Sequence, residues 1–347
     1  VSDNGNERSD DGEAGGPLDV VAVGNALVDV LTRATDDDLA RLGLIKGSME
    51  LVDLARSTAV YEGMGAGVEV SGGSAANTAV GVAALGGRVG YIGKVADDEF
   101  GATFLHDIAA VGVVSVGMAS VPVAGTAGAT GRCLVLVTED GERTMATHLG
   151  VASDLGPDDL DESLLARGRV VYLEGYLWDQ PPAKEALRRA IEVAHAADAL
   201  VALTLSDAFC VERHRREFLD LLHGEIDVLF ANEEEVTLLF DAPSFDDAVS
   251  AVGETGLLAA LTRGAAGSVV VAASGPVAVA AEPVEHVVDT TGAGDLYAAG
   301  FLYGLTHGYD PEGCGRLAGL CAGEVIAHLG ARPQADLNLL VKESGLS

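Results

Sequence analysis

DTTGAGDLYAAGFLYGL, residues 289–305, decides how this chain is read. Its first seven residues hold two glycines and two aspartates, and an apolar run follows. Glycine inside a helix costs about 1 kcal/mol relative to alanine, so Gly292 and Gly294 at a helix start need another reason to be there. Lacking side chains, they let the backbone N–H groups of 292–295 come close to a ligand, and the helix dipole favours negative charge at that end. The stretch predicts an anion hole suited to a phosphate in transit, with Asp295 as the carboxylate beside it. On the pattern alone a second reading stands, in which Asp295 in the first turn caps the helix and the glycines serve close packing. The common phosphate loops are missing: GxxxxGK[ST] does not occur, and Gly63, Gly65 and Gly67 do not fit GxGxxG.

Outward from this stretch, short β-branched runs alternate with helical patterns. Strands are predicted at 19–24, 89–94, 169–173, 200–204, 227–230, 257–262, 268–273 and 276–281. Helices are predicted at 53–64, 74–86, 98–111, 182–197, 213–223, 232–240 and 292–306. This alternation implies a mostly parallel sheet covered by helices on both faces. Two regions break it. Residues 25–51 hold strand-like pieces around a short acidic helix, and 114–149 reads as strands, with a hairpin turning at Asp140–Gly141. Such an excursion suits a lid over an active site or an extension of the main sheet edge. Residues 1–16 carry mixed charge without apolar periodicity and read as a disordered acidic tail.

The 347 residues carry a formal net charge of −32, from 21 basic and 53 acidic side chains. That field repels nucleic acid and anionic membranes, so neither is an expected partner. With only four lysines, the acidic surface fits either a salty cytoplasm or a genome that replaces lysine with arginine. The longest apolar runs, such as Val269–Ala273, are of strand length, well short of the roughly 20 residues of a membrane span. With no basic, apolar leader at the start, the expectation is a cytoplasmic protein. Cys133, Cys210, Cys314 and Cys321 show no CxxC spacing and the histidines form no HExxH, which argues against a disulfide framework and a catalytic transition metal.

DTTGAGD (289–295) resembles the second signature of the ribokinase-like, or PfkB, family of small-molecule kinases, and VSGGSAANTAVGVAALGG (70–87) resembles the first. GNALVD (24–29), NEEE (232–235), TRGAAG (262–267) and GARP (330–333) are further matches. Within the family the chain is most similar to adenosine kinases, through GNALVDV, the hairpin TGRCLVLVT with RTMATHL, and LTLSDAF with DVLFANEEE. The resemblance implies a three-layer α/β/α core with a mostly parallel sheet and a small β lid. It places one kinase domain at 17–347, with the lid at about 25–51 and 114–149.

The resemblance also implies roles. Asp295 accepts a proton from the substrate hydroxyl, while the amides of Gly292, Ala293 and Gly294 hold the charge on the transferred phosphate. A carboxylate beside helix N–H groups should have a depressed pKa, which suits a loose transition state needing little early proton removal. Arg143 descends from the lid hairpin to the phosphates. Asn25, Asp29, Gly72, Gly73 and Asn77 grip the sugar, the glycines letting it approach. Leu134 and Leu136 on the lid, with Tyr176, Leu177 and Trp178 opposite, offer a surface for a base. Met49 stands where adenosine kinases often carry a polar base reader. For ATP, Asn232 and Glu235 serve the Mg²⁺–phosphate water network, and Glu233 and Glu234 are a solvated face. Thr262, Arg263, Gly264 and Gly267 form the nucleotide loop, Thr291 lies by the phosphates, and Ala322 of AGLCAG lines the adenine pocket. Asp289, Thr291 and Gly330 outline a loop for a monovalent cation such as K⁺, on which adenosine kinases vary. The implied activity is transfer of the ATP γ-phosphate to the 5′-hydroxyl of adenosine or a related nucleoside, by a monomer or homodimer. A sugar or sugar-acid kinase of the same fold is the alternative. A catalytically silent nucleotide sensor is a third, against which Asp295, the GAG run and Arg143 speak.

Overall fold

The structure, a computed structural model, describes residues 16–114, 119–121 and 128–346; the tail expected at 1–16 lies outside the described residues except for Gly16. An eight-stranded sheet forms the centre. Its order is Gly275–Val279, Ser268–Ala272, Leu258–Thr262, Val228–Asn232, Leu200–Thr204, Gly168–Glu174, Leu18–Val23 and Val89–Ile92. The six strands from Leu258–Thr262 to Val89–Ile92 run parallel, and the other two close the edge as antiparallel hairpins. Each of the eight predicted core strands finds its counterpart.

Helices cover both faces, so the strands are apolar on both sides. On one face Val20, Ala22, Val170 and Tyr172 pack against the helices Ser74–Ala84, Ala293–Thr306 and Pro311–Val325. On the other, Val21, Val23, Val171 and Leu173 meet Pro181–Ala196, Ala208–Leu222, Glu233–Phe240 and Phe245–Thr255. Neither Phe245–Thr255 nor the last helix, Leu337–Glu343, is among the sequence predictions, and Ala208–Leu222 begins five residues before its predicted start at 213. The strand ends Val23, Ile92, Glu174, Thr204, Asn232 and Thr262 share one edge of the sheet, where open α/β folds bind ligands.

The lid is a separate five-stranded sheet, ordered Met49–Leu51, Arg143–His148, Gly131–Val137, Leu27–Arg33 and Val68–Gly72. It extends past the predicted boundary at 51 to take in Val68–Gly72, while 119–121 pairs with Lys94–Ala96 outside it. Side chains alternate across a strand, so each lid strand has a roof face and a cleft face. Along Gly131–Val137, Arg132 donates to Ser57 Oγ (2.7 Å) and Thr58 Oγ1 (2.7 Å) of the overlying helix Leu54–Gly63. Leu134 and Leu136 share its face and are sealed in the core with Val28, Val30, Leu39 and Val60. Val135 and Val137 project the other way, clustering with Leu31, Val70, Cys133, Met145 and Leu329.

Candidate active site

The helix Ala293–Thr306 begins on Gly292, a left-handed residue (φ +77°) with no side-chain cap. Nine other α-helices among the described residues, including Glu99–Ala110, Ala208–Leu222 and Pro311–Val325, start on a Thr, Asp, Asn or Ser whose side chain accepts a first-turn N–H. The two glycines of GAG differ. A Cβ on Gly292 would come within 2.7 Å of Ala331, so that glycine is required by conformation and packing, whereas one on Gly294 would meet nothing within 4 Å. Gly294 faces open space beside uncapped N–H groups. That geometry fits an anion.

Asp295, one residue further, is pinned from the neighbouring helix: Ser74 donates to Oδ1 (2.7 Å) and Asn77 Nδ2 to Oδ2 (2.8 Å). Burial raises its pKa above the ordinary value, outweighing the Ser74 and Asn77 hydrogen bonds and the Arg332 charge. The depressed pKa expected from the helix N–H groups is therefore corrected: desolvation dominates. Asn77 spends its amide N–H on Asp295, and its Oδ1 is buried without a partner among the described residues. A buried, unsatisfied carbonyl oxygen is costly, and here it is an acceptor left for a hydroxyl.

Asp29 lies in the cleft face of the lid beside Cys133, its register partner. Burial lifts its pKa to about 6, with Arg332 pulling down and Asp295 and Asp289 pushing up. The glycines opposite are required by the chain itself. A Cβ on Gly72 would meet the Asp29 carboxylate at 2.4 Å, and one on Gly73 (φ +95°) would meet Asn25 O at 2.1 Å. They make room for the chain itself. Asn25 is buried and donates through Nδ2 to Glu174 Oε1 (2.6 Å).

From the lid hairpin, Arg143 reaches the helix start, donating to Thr291 Oγ1 and to Thr290 Oγ1 (3.1 Å) and pairing with Asp289 Oδ1 (3.3 Å). Asp289 also accepts from Thr291 N (2.9 Å) and Gly330 N (2.9 Å), which ties the lid tip, the GAG loop and the GARP loop together. The Asp289 carboxylate is thus engaged with protein donors, while the expected monovalent-cation loop draws on the main-chain carbonyls of Asp289 and Thr291.

On the nucleotide side, Asn232 and Thr262 are register partners on adjacent strands. Asn232 and Glu235 close on each other as a capping box: Asn232 Oδ1 accepts from Glu235 N (2.9 Å), while Glu235 takes Asn232 N (3.0 Å) and Asn232 Nδ2 (2.6 Å). Burial lifts the Glu235 pKa to about 7, with Asp207 nearby adding to the rise. Arg263 finds its partner in Glu233 (3.1 Å) and lies over the Phe245 ring (4.4 Å), so Glu233 is paired rather than merely solvated. Gly264 (φ +55°) and Gly267 (φ +84°) shape the turn after Thr262. Ala322 is half-buried on Pro311–Val325, on which Gly319 faces open space.

The expected base surface needs correction. Leu134 and Leu136 face the roof, not the cleft. Leu177 and Trp178 are buried in the opposite core layer with Phe218, leaving only Tyr176, which bonds to Ser206 through its N–H (3.2 Å) and hydroxyl (3.3 Å), at the sheet edge. Met49 stands on the lid's edge strand, 43% exposed. Sequence reasoning also passed over Ser74, Cys133, Glu174 and Arg332. Arg332 is half-buried among carbonyls, donating to Ser71 O (2.6 Å) and Ala76 O (2.9 Å) within the electrostatic reach of Asp29 and Asp295. Ser74, three residues before Asn77 on one helix face, carried a legible signal.

Residues 48–337 match the pfkB family of carbohydrate kinases. The chain belongs to that family. Two solved structures share its fold across nearly their whole length. The adenosine kinase from Sinorhizobium meliloti is 47% identical with a TM-score of 0.87, covering 94% of this chain and 99% of that one. A probable sugar kinase protein from Rhizobium etli CFN 42 is 43% identical with a TM-score of 0.88, covering 96% and 100%. Among curated proteins, a 5-dehydro-2-deoxygluconokinase of Shouchella clausii is 29% identical over 74% of this chain and 80% of its own. Membership makes the chain a small-molecule kinase using ATP and Mg²⁺. Among the described residues no group of three or more His, Cys, Asp or Glu side chains is placed to hold a metal by itself. No helix among the described residues is long and apolar enough to cross a membrane.

Proposed function

We propose that the chain phosphorylates the 5′-hydroxyl of adenosine or a closely related nucleoside. The observation that carries this is the pairing of Asp295 with an apolar lid face: Leu31, Cys133, Val135 and Met145 line the side of the lid that bears Asp29. ATP supplies the phosphoryl group, its charge shielded by Mg²⁺. Asp295 orients the attacking hydroxyl and takes its proton as the new O–P bond forms and the bond to the leaving phosphate breaks. A raised pKa makes this carboxylate a better base than a free one. The uncapped first turn at Gly292–Gly294 and Arg143 meet the charge that develops. Asn232 and Glu235, satisfied by each other, act on Mg²⁺ through water. Asp29 accepts from the sugar hydroxyls, and the unpartnered Asn77 Oδ1 accepts another.

The likeness to the Sinorhizobium meliloti adenosine kinase supports the nucleoside reading, and the Rhizobium etli and Shouchella clausii proteins support a sugar acceptor. Asp29 and Asn77 serve either; the apolar lid face favours a base, since burying it contributes about 25 cal/mol per Å². Initial rates with adenosine, ribose, fructose and a 2-keto-3-deoxy sugar acid decide. Adenosine should lead ribose in kcat/KM by at least about a hundredfold. Robust phosphorylation of a free sugar with adenosine inert overturns the acceptor and leaves the role of Asp295 standing.

A further inference from the structure

The lid joins the core through four passages of chain, at residues 24–26, 72–73, 129–130 and 149–150. They cross in two pairs. In the first, a Cβ on Gly73 would strike Asn25 O at 2.1 Å, and one on Gly24 would strike both Ala75 Cβ and Glu174 Oε2 at 2.4 Å. In the second, a Cβ on Gly150 would strike Ala129 O at 2.2 Å and one on Gly131 would strike Leu149 O at 2.5 Å. A carboxylate stands at each crossing, but only the first bonds to both of its passages. Asp98 accepts from Thr130 N (2.8 Å) and Thr130 Oγ1 (2.6 Å) at the second.

Glu174 ends a central strand directly beneath the first crossing and is 1% exposed. Its Oε1 accepts from Asn25 Nδ2 (2.6 Å) and Asn25 N (3.4 Å), and its Oε2 from Ala75 N (3.0 Å). One side chain therefore holds the strand that leaves the core for the lid and the helix that receives the chain back. Four residues beyond Asn25 stands Asp29, and Asn77, which grips Asp295, is two beyond Ala75. Burial lifts the Glu174 pKa to about 7, against the hydrogen bonds from Ala75 and Asn25, and its two oxygens accept N–H donors from both passages. Replacing one of its oxygens with an NH₂ group sets donor against donor.

We propose that Glu174 is a positioning residue that fixes the two lid passages against each other and so sets the distance between Asp29 on the lid and Asp295 in the core. Asp98, at the other crossing, holds only the 129–130 passage and so does not fix one passage against the other. The kinetic part rests on the proposed function, which puts Asp29 and Asn77 in the acceptor grip; the exchange part does not.

Glu174→Gln should raise the acceptor KM at least about tenfold while the ATP KM stays within about twofold. Glu174→Asp, which keeps a carboxyl group on a shorter arm, should fall between. Asp98→Asn should lower the melting temperature and leave the acceptor KM within about twofold. In the wild-type protein the backbone amides of Asn25 and Ala75 should exchange with solvent deuterium at rates within about threefold of each other, because one opening frees both. An acceptor KM unchanged in Glu174→Gln, or raised equally in Asp98→Asn, overturns the proposal. So do amides of Asn25 and Ala75 whose exchange differs by more than about tenfold. If no acceptor is phosphorylated at all, the proposed function fails, and the exchange rates still decide whether Glu174 binds both passages.

Discussion

Two helices start at the same edge of the sheet and treat their free N–H groups in opposite ways. Glu233–Phe240 closes on itself: Asn232 and Glu235 satisfy each other reciprocally, and nothing further is asked of a ligand. Ala293–Thr306 starts on a glycine with no side chain to cap it and with open space over Gly294. A self-satisfied start is complete when the protein folds, while an uncapped one is completed by what binds there. The difference accords with the two proposed roles, water-mediated support for NEEE and direct phosphate contact for GAGD.

The largest effect that tests this division is at Asp295. Asp295→Asn should lower turnover by about a thousandfold or more with ATP affinity within several-fold, since it removes a role expressed during transfer. Turnover within tenfold of wild type would remove Asp295 from the reaction. Arg143→Ala should cost about a hundredfold in kcat and much less in acceptor KM, because its guanidinium meets developing charge; a change confined to KM reassigns it to binding.

The glycines offer a sharper cut. Gly294→Ala should leave the melting temperature unchanged or higher, as alanine gains about 1 kcal/mol over glycine in a helix, yet depress turnover about tenfold by filling the space where phosphate belongs. Gly292→Ala should instead destabilise the protein by roughly 1–3 kcal/mol, from its positive φ and the contact with Ala331. Equal stability for the two variants breaks the distinction. Smallest is Asn232→Ala, which should lower stability by about 1 kcal/mol through the lost cap. The Mg²⁺ concentration for half-maximal rate should rise only about fivefold, the measure of one water-mediated contact. A loss matching that of Asp295→Asn would make Asn232 a direct ligand.

The core strands were legible because each is a β-branched run buried on both faces between turn residues. The GAGD helix start was legible because two glycines where helices resist them demand a reason. The lid's orientation was not. Every residue from Cys133 to Val137 is apolar, so alternation carried no contrast, and only Arg132 reaching Ser57 shows which parity faces the roof. Glu174 and Arg332 were illegible for a different reason. Their partners lie 149 and 256 residues away in sequence, and no local pattern encodes such meetings. The pKa of Asp295 was misjudged by weighing the helix start without the burial that the neighbouring helix imposes.

The two-sidedness of Gly131–Val137 has an evolutionary reading. Leu134 and Leu136 keep the lid folded, and Cys133 and Val135, on the same strand, project to the opposite face, on which the acceptor is proposed to bind. Selection can therefore alter the odd positions to trade one acceptor for another while the even positions hold the scaffold, with no passage through an unfolded ancestor. An insertion or deletion of one residue forecloses that route, because a one-residue slip exchanges the faces. Diversification along this strand is thus expected by substitution at fixed length, and a shared lid can roof kinases for nucleosides and for sugars alike.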